Sequence, residues 1–139
     1  MARIVKRSGK VKPELSPVSK DSTTIAGEPL VYPGTASPEV SSSILSIAPG
    51  AKTDWMIHPA QAYLYVLEGT LTVELAEGSH REFSAGEAFL QTRTKWHRGR
   101  NRGSAPVRFL AVFLGAREVP NVLHPPPRRG RASRPATPR

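Results

Sequence analysis

Alternation of apolar and polar residues dominates the middle of the chain and predicts β-strands. The clearest case is residues 70–75, where Leu71, Val73 and Leu75 share one face. Similar β-prone runs cover residues 40–47 and 62–67, and Gly- or Pro-containing turns separate the runs. The run 107–114 is almost continuously apolar, which is typical of a strand with both faces covered. No window predicts a long amphipathic helix, so the pattern indicates an all-β antiparallel sandwich, jelly roll or barrel.

The two ends of the chain lack this alternation. Residues 1–27 contain few large apolar residues and predict an extended or disordered basic arm. Residues 120–139 predict a disordered tail, because 125–139 alone contain five prolines and five arginines. The length of 139 residues fits one domain, and we place its barrel at residues 28–119.

Charge follows the same division. The net charge is +9, with +5 in residues 1–20, +5 in residues 125–139 and −1 in residues 21–124. A neutral globular part with basic ends favours solvated tails over specific nucleic-acid binding. The chain has no cysteine, which excludes disulfides and thiolate metal sites. No apolar run is long enough for a membrane span or a signal peptide, so we expect a cytoplasmic protein.

Two segments of the chain resemble the paired motifs of the cupin superfamily. The first runs from Gly50 to Gly69, with Met56-Ile57-His58 in the His-x-His slot and Ala62 in the Glu slot. The second begins at Gly78, has Ser84-Ala85-Gly86 in the Pro-x-Gly slot, and places His97 four residues before Asn101. The resemblance covers about residues 38–115. It implies a double-stranded β-helix (jelly-roll) barrel with an interior pocket, often assembled as a homodimer.

The resemblance implies a metal site from which two usual ligands are missing. Cupins that bind a metal use two histidines and a glutamate of the first motif and one histidine of the second. Here His58 and His97 remain, while Met56 and Ala62 replace the other two ligands. Two imidazoles alone hold a divalent ion weakly. Met56, Gln61 or Gln91 are candidates for a third ligand, and the thioether of Met56 would favour copper.

Three interpretations of the site stay open. The histidines bind one divalent or copper ion, they contact a small-molecule ligand without a metal, or they pack in a closed core. The residues expected to line an interior pocket are Met56, Ala62, Leu64, Gln91 and Asn101.

Basic residues crowd the region around His97. Arg93, Arg98 and Arg100 could steer an anionic ligand to the pocket mouth. The alternative is a solvated face or an intersubunit ion-pair surface, because Arg98 and Arg100 alternate with His97 along a strand.

The functional expectation is a cupin barrel that binds a small molecule of unassigned identity. One alternative is a metal-dependent dioxygenase or isomerase acting on a small anionic or aromatic metabolite. The other is a noncatalytic binding protein or structural dimer. The chain shows no phosphate-binding loop or dinucleotide fingerprint.

Overall fold

The computed structural model describes residues 4–7 and 10–125, which are built from antiparallel strands. Within these two ranges no helix is long and apolar enough to cross a membrane. The nine strands are β1 (Ile4–Arg7), β2 (Lys10–Pro13), β3 (Pro38–Ile47), β4 (Gln61–Glu68), β5 (Thr70–Leu75), β6 (His80–Ser84), β7 (Ala88–Leu90), β8 (His97–Arg100) and β9 (Val107–Ala116).

Two sheets face each other around one core. The first has the strand order β3-β9-β4-β7 and the second the order β6-β5-β8, while β1 and β2 form a separate hairpin. The rings of Phe83 and Phe89 stack at a centroid distance of 3.9 Å, one from each sheet. The all-β architecture predicted from the sequence is confirmed.

The predicted alternation determines which side chains enter the core. Ala62, Leu64 and Val66 of β4 are buried, while Tyr63 between them is half-buried on the other face. The tight turn from β4 to β5 requires Gly69. Its φ is 76°, and a Cβ at this position would lie 2.5 Å from the carbonyl oxygen of Pro106.

Residues 22–30, here called the N-terminal strap, pack on the barrel. The amide of Ile25 donates to the Leu90 carbonyl at 3.0 Å, and the Ile25 side chain contacts the core. The Glu28 carboxylate accepts hydrogen bonds from the amides of Arg93 and Thr94, both at 3.0 Å, and from three threonine hydroxyls. The barrel contacts therefore begin before residue 28, the predicted boundary.

The chain also contacts the barrel beyond residue 120, the other predicted boundary. Ile57 and Leu123 exchange backbone hydrogen bonds of 3.0 and 2.9 Å, so residues 121–123 form part of the barrel. The Pro/Arg-rich composition of residues 125–139 gives no sign of this pairing by Leu123. The predicted disorder of residues 126–139, and that of residues 1–3, 8 and 9, lies outside the described residues.

The Glu28 carboxylate ties the strap to the 92–95 loop, and its ionisation should matter for stability. Burial alone would raise the pKa of this carboxyl. Hydrogen bonds from Thr94, Thr92 and Thr24 and from the Arg93 amide outweigh burial and lower the pKa from 4.5 to about 2. The stabilisation is therefore complete above pH 4.5 and is lost as the pH falls toward 2.

Replacing Glu28 with Gln should destabilise the protein by roughly 1–3 kcal/mol at neutral pH, because an amide replaces a charged acceptor. Urea unfolding of both proteins at neutral pH and near pH 3 measures the difference, which should shrink at the lower pH. The matched control is Glu82→Gln at an exposed position of β6, which should change neither value. A Glu28→Gln protein as stable as the wild type at neutral pH would contradict this role.

Candidate functional site

A cavity of about 460 Å³ lies between the two sheets. Its walls come mainly from β3, β5, β8 and β9, and most of the lining side chains are apolar. The apolar lining residues are Leu45, Met56, Leu64, Leu71, Val73, Phe109, Ala111, Phe113 and Val122. The polar ones are Ser41, Ser43, Thr53, His58, Gln91, His97 and Asn121. This cavity has the size and composition of a small-molecule pocket.

His58 and His97 meet in this cavity. His97 begins β8, and Met56 pairs with it through backbone hydrogen bonds of 2.8 and 3.1 Å. This pairing brings His58, two residues after Met56, close to His97. The two Nε2 atoms lie 3.0 Å apart. The exposed fractions of His58 and His97 are 5% and 2%. The prediction that both histidines aim at one point therefore agrees with the structure, although the metal itself stays a prediction.

Backbone carbonyls fix the orientation of both rings. Nδ1 of His58 lies 3.0 Å from the carbonyl oxygen of Asn121, and Nδ1 of His97 lies 2.9 Å from that of Lys95. A carbonyl oxygen only accepts, so each Nδ1 must carry the hydrogen. A neutral imidazole has one N–H, so both Nε2 atoms are left with lone pairs that face each other.

Burial keeps both rings neutral. It lowers the pKa of His58 from 6.5 to about 4, with a further lowering by the neighbouring His97 ring and a partial offset by the hydrogen bond to Asn121. Burial also lowers the pKa of His97, against the opposing effects of the Lys95 carbonyl and the Glu28 carboxylate. The contact between the Nε2 atoms therefore lacks a hydrogen at neutral pH. A metal ion, or a hydrogen-bond donor on a ligand, would interact favourably with the two Nε2 lone pairs.

The structure places three of the predicted pocket residues in the cavity wall. They are Met56, Leu64 and Gln91. The amide oxygen of Gln91 accepts from the Thr92 amide at 3.0 Å, which holds this side chain in place.

The other two predicted pocket residues lie elsewhere. Ala62 is fully buried in the core cluster and is not among the residues that line the cavity. The Asn101 amide donates to the carbonyls of Ile47 and Ala105 at 2.9 and 2.8 Å, so it braces a loop. Gln61, a candidate third ligand, lines a separate cleft on the outside of the barrel.

The arginines expected to steer anions do not reach this pocket. Arg98 and Arg100 bind Glu74 of the adjacent strand β5 at 2.8 and 3.2 Å, and Arg98 also lies over the Trp55 ring. Strand register explains this pairing, since Glu74 lies directly opposite Arg98. Arg93 lines the same outer cleft as Gln61. Arg98 and Arg100 thus form ion pairs within the chain, and the intersubunit ion-pair surface stays a prediction.

Sequence reasoning missed the groups that hold the histidines. Asn121 fixes His58 through its carbonyl and donates its side-chain amide to the Ser41 hydroxyl at 2.8 Å. Lys95 acts through its carbonyl alone. Every residue type has a backbone carbonyl, so the sequence does not show which carbonyl will accept a hydrogen bond from a histidine. The short run 121–123 before the prolines was the one indication that this segment belongs to the site. The ring of Phe113, edge-on to His58 at 5.3 Å, completes the apolar surroundings.

Comparisons with known proteins agree with this fold. A family model described as "Cupin domain" matches residues 43–113. Among solved structures, an oxalate oxidase in complex with the substrate analogue glycolate is similar at 26% identity and a TM-score of 0.53, over 61% of this chain and 45% of that chain. The described chain thus spans less than half of that enzyme. A search of curated proteins finds no match.

Two further solved structures show the fold alone. The formate complex of Lactobacillus farciminis oxalate decarboxylase is 23% identical with a TM-score of 0.53, over 61% of this chain and 26% of that chain. An uncharacterized conserved protein with a double-stranded β-helix domain from Klebsiella pneumoniae is 18% identical with a TM-score of 0.55, over 69% of this chain and 90% of that chain. The predicted double-stranded β-helix is confirmed.

The tautomers of His58 and His97 are directly measurable. We expect both neutral rings to carry hydrogen on Nδ1, because each Nδ1 faces a carbonyl oxygen. Long-range ¹⁵N–¹H NMR spectra of the imidazole nitrogens report this, with the exposed His80 ring as the reference signal. As the pH is lowered, His58 should stay neutral to about pH 4. An Nε2–H tautomer in both rings, or titration of His58 at 6.5, would count against the geometry.

Proposed function

The chain belongs to the cupin domain family, and on that premise we propose that it binds a small, largely apolar molecule with one polar end. The apolar body of the ligand would occupy the cavity, and its polar end would meet His58 and His97. The observation that carries this proposal is the pair of Nε2 lone pairs, 3.0 Å apart, on the two imidazoles that line the apolar pocket.

The walls of the pocket favour an apolar ligand over a small dianion. Among the described residues that line it, none is Lys or Arg. A buried anion without a cationic partner carries a large desolvation cost. The similarity to an oxalate oxidase at 26% identity therefore supports a shared fold and family more than a shared substrate. An aromatic or aliphatic body contacting Leu71, Val73 and Phe109 fits the lining better.

A divalent or copper ion fits this site in one respect and not in another. The Nε2 atoms of His58 and His97 are well-placed donors, and the hydrogen bonds from Nδ1 to carbonyls orient them as in many metal sites. In residues 4–7 and 10–125, however, no group of three His, Cys, Asp or Glu side chains could hold an ion. Met56 and Gln91 line the same pocket as weaker donors. A bound ion would supply a Lewis acid for the oxygen of a ligand.

A metal-dependent oxidase, dioxygenase or isomerase is the second candidate function. The similarity to an oxalate oxidase favours it, as does a two-histidine donor set that would leave coordination positions free for substrate. Here His58 and His97 would hold the ion, while the apolar walls would exclude water from the reacting end of the substrate. Turnover, in addition to binding, separates this candidate from the first.

The predicted homodimer also stays a proposal. Strand β3 is ten residues long and forms an edge of the four-stranded sheet, with Val40 and Ile44 exposed at 65% and 55%. An edge of this kind can pair with a second copy of the same strand. The only charged residue of β3 is Glu39, so few charges oppose such pairing.

A matched pair of probes tests the proposed function and distinguishes the two forms of the site. The probes are 2-naphthol, which has a hydroxyl donor, and 2-naphthoate, which has a carboxylate. Without metal, the Nε2 lone pairs should accept from 2-naphthol and repel 2-naphthoate by about tenfold or more in affinity. If an ion is bound, 2-naphthoate should bind and a chelator should abolish its binding. Ligand fluorescence measures both, alongside elemental analysis of the protein.

Two variants, each with a matched control variant, accompany this experiment. Ala111→Phe fills the cavity from β9 and should abolish binding of either probe, whereas Ala85→Leu at an exposed turn should leave it unchanged. His97→Gln should abolish metal uptake, whereas His80→Gln on the exposed strand β6 should not. If neither probe binds, or if Ala111→Phe binds them as well as the wild type does, the proposed pocket is wrong.

A further inference from the structure

A second cleft, of about 280 Å³, lies on the outside of the four-stranded sheet. It is formed by residues 31–35, the 59–61 segment and the end of β9, and Val31 and Tyr32 on its rim are exposed at 56% and 76%. Its lining residues are Val31, Tyr32, Pro33, Gly34, Thr35, Pro59, Ala60, Gln61, Arg93, Leu114, Gly115, Ala116 and Val119. It shares no lining residue with the histidine pocket.

Gln61, one of the lining residues, carries an unsatisfied acceptor. The residue is only 2% exposed, and its Nε2 donates to the carbonyls of Ala62 and Gln91 at 3.0 and 2.9 Å. Its Oε1 is buried and has no hydrogen-bond partner within residues 4–7 and 10–125. Exchanging the two amide atoms would turn the oxygen toward both carbonyls, so the observed orientation is the favourable one. A buried acceptor without a hydrogen bond lowers the stability of the protein, so a ligand that donates to it would bind favourably.

Arg93 brings a cation that no carboxylate of the described residues neutralises. Its guanidinium donates to the Pro59 carbonyl at 3.1 Å, which leaves most of its five N–H donors free. No ion pair of the described residues includes Arg93, whereas Arg98 and Arg100 both pair with Glu74. The Glu28 carboxylate accepts from the backbone amide of Arg93 and not from its guanidinium. The cleft therefore offers a positive charge and a free acceptor against apolar walls.

We propose that this cleft is a second ligand site, which takes a small carboxylate that carries an N–H group, such as an N-acyl amino acid. The carboxylate would bind the guanidinium of Arg93, which suits planar oxyanions. The N–H would donate to Oε1 of Gln61, and the short carbon chain would pack against Leu114 and Val119. The volume limits the ligand to less than drug size.

The site adjoins the histidine pocket without depending on it. The amide of His58 donates to the Arg93 carbonyl at 2.9 Å, and Pro59, which accepts from the Arg93 side chain, follows His58 in the chain. The second site involves neither imidazole ring, so it holds whether or not the histidine pocket binds a metal or a ligand.

Three closely matched probes test the proposal on the full chain without mutation. They are N-acetylglycine, 4-oxopentanoate, which has CH₂ in place of the N–H, and N-acetylglycinamide, which lacks the carboxylate. N-acetylglycine at millimolar concentration should shift the backbone amide NMR signals of Gly34, Arg93 and Gly115 and leave those of Leu71 and Gly99 unchanged. The other two probes should bind more weakly by about fivefold or more, because each leaves one polar group of the cleft unpaired.

Variants provide the second arm of the test. In Arg93→Met, N-acetylglycine and N-acetylglycinamide should bind equally weakly, while Arg81→Met, at an arginine over the Phe83 ring, should behave as the wild type does. Absence of saturable shifts at the cleft would mean that Gln61 Oε1 holds only an ordered water, and it would overturn the proposal. Equal affinity for N-acetylglycine and 4-oxopentanoate, or shifts confined to the histidine pocket, would overturn it too.

Discussion

The hydrogen bonds from two imidazole Nδ1 atoms to backbone carbonyls are the constraint on which this site depends. They fix His58 and His97 so that both Nε2 atoms point at each other in an apolar cavity. Each carbonyl belongs to a segment that is itself held in place. Asn121 lies beside the pairing of Ile57 with Leu123, and Lys95 follows the loop that the Glu28 carboxylate binds. The geometry of the histidine pair therefore depends on contacts between distant parts of the chain.

The protonation state of the two imidazoles determines what this site can bind. A protonated imidazole in the cavity would be desolvated, and for His97 this burial outweighs the opposing effect of the Glu28 carboxylate, so burial favours the neutral form of both rings. Neutral rings whose Nδ1 atoms already donate can only accept at Nε2. The replacement of the usual first-motif ligands by Met56 and Ala62 thus leaves a site that still attracts a Lewis acid or a donor. The apolar walls then determine what else can enter.

Local patterns predicted the barrel well because the strands carry their own signals, either alternation or a continuous apolar run. The run 70–75 and the run 107–114 became β5 and β9, and the spacing of the two motifs located His58 and His97. Long-range contacts were beyond such patterns. Nothing local shows that Glu28 binds a loop more than 60 residues later, that Glu74 pairs with Arg98, or that Gln61 turns to the outside. Asn121 was hidden for a different reason, because its backbone and not its side chain orients His58.

The most direct test of the central claim is crystallographic. Crystals of the full chain grown with zinc, measured on both sides of the zinc absorption edge, show whether an ion occupies the space between the Nε2 atoms. The account predicts an anomalous peak within bonding distance of both His58 and His97, with each Nδ1 still directed at its carbonyl oxygen. Zinc bound only at His80 or His124, with His58 and His97 joined by a direct hydrogen bond, would contradict it.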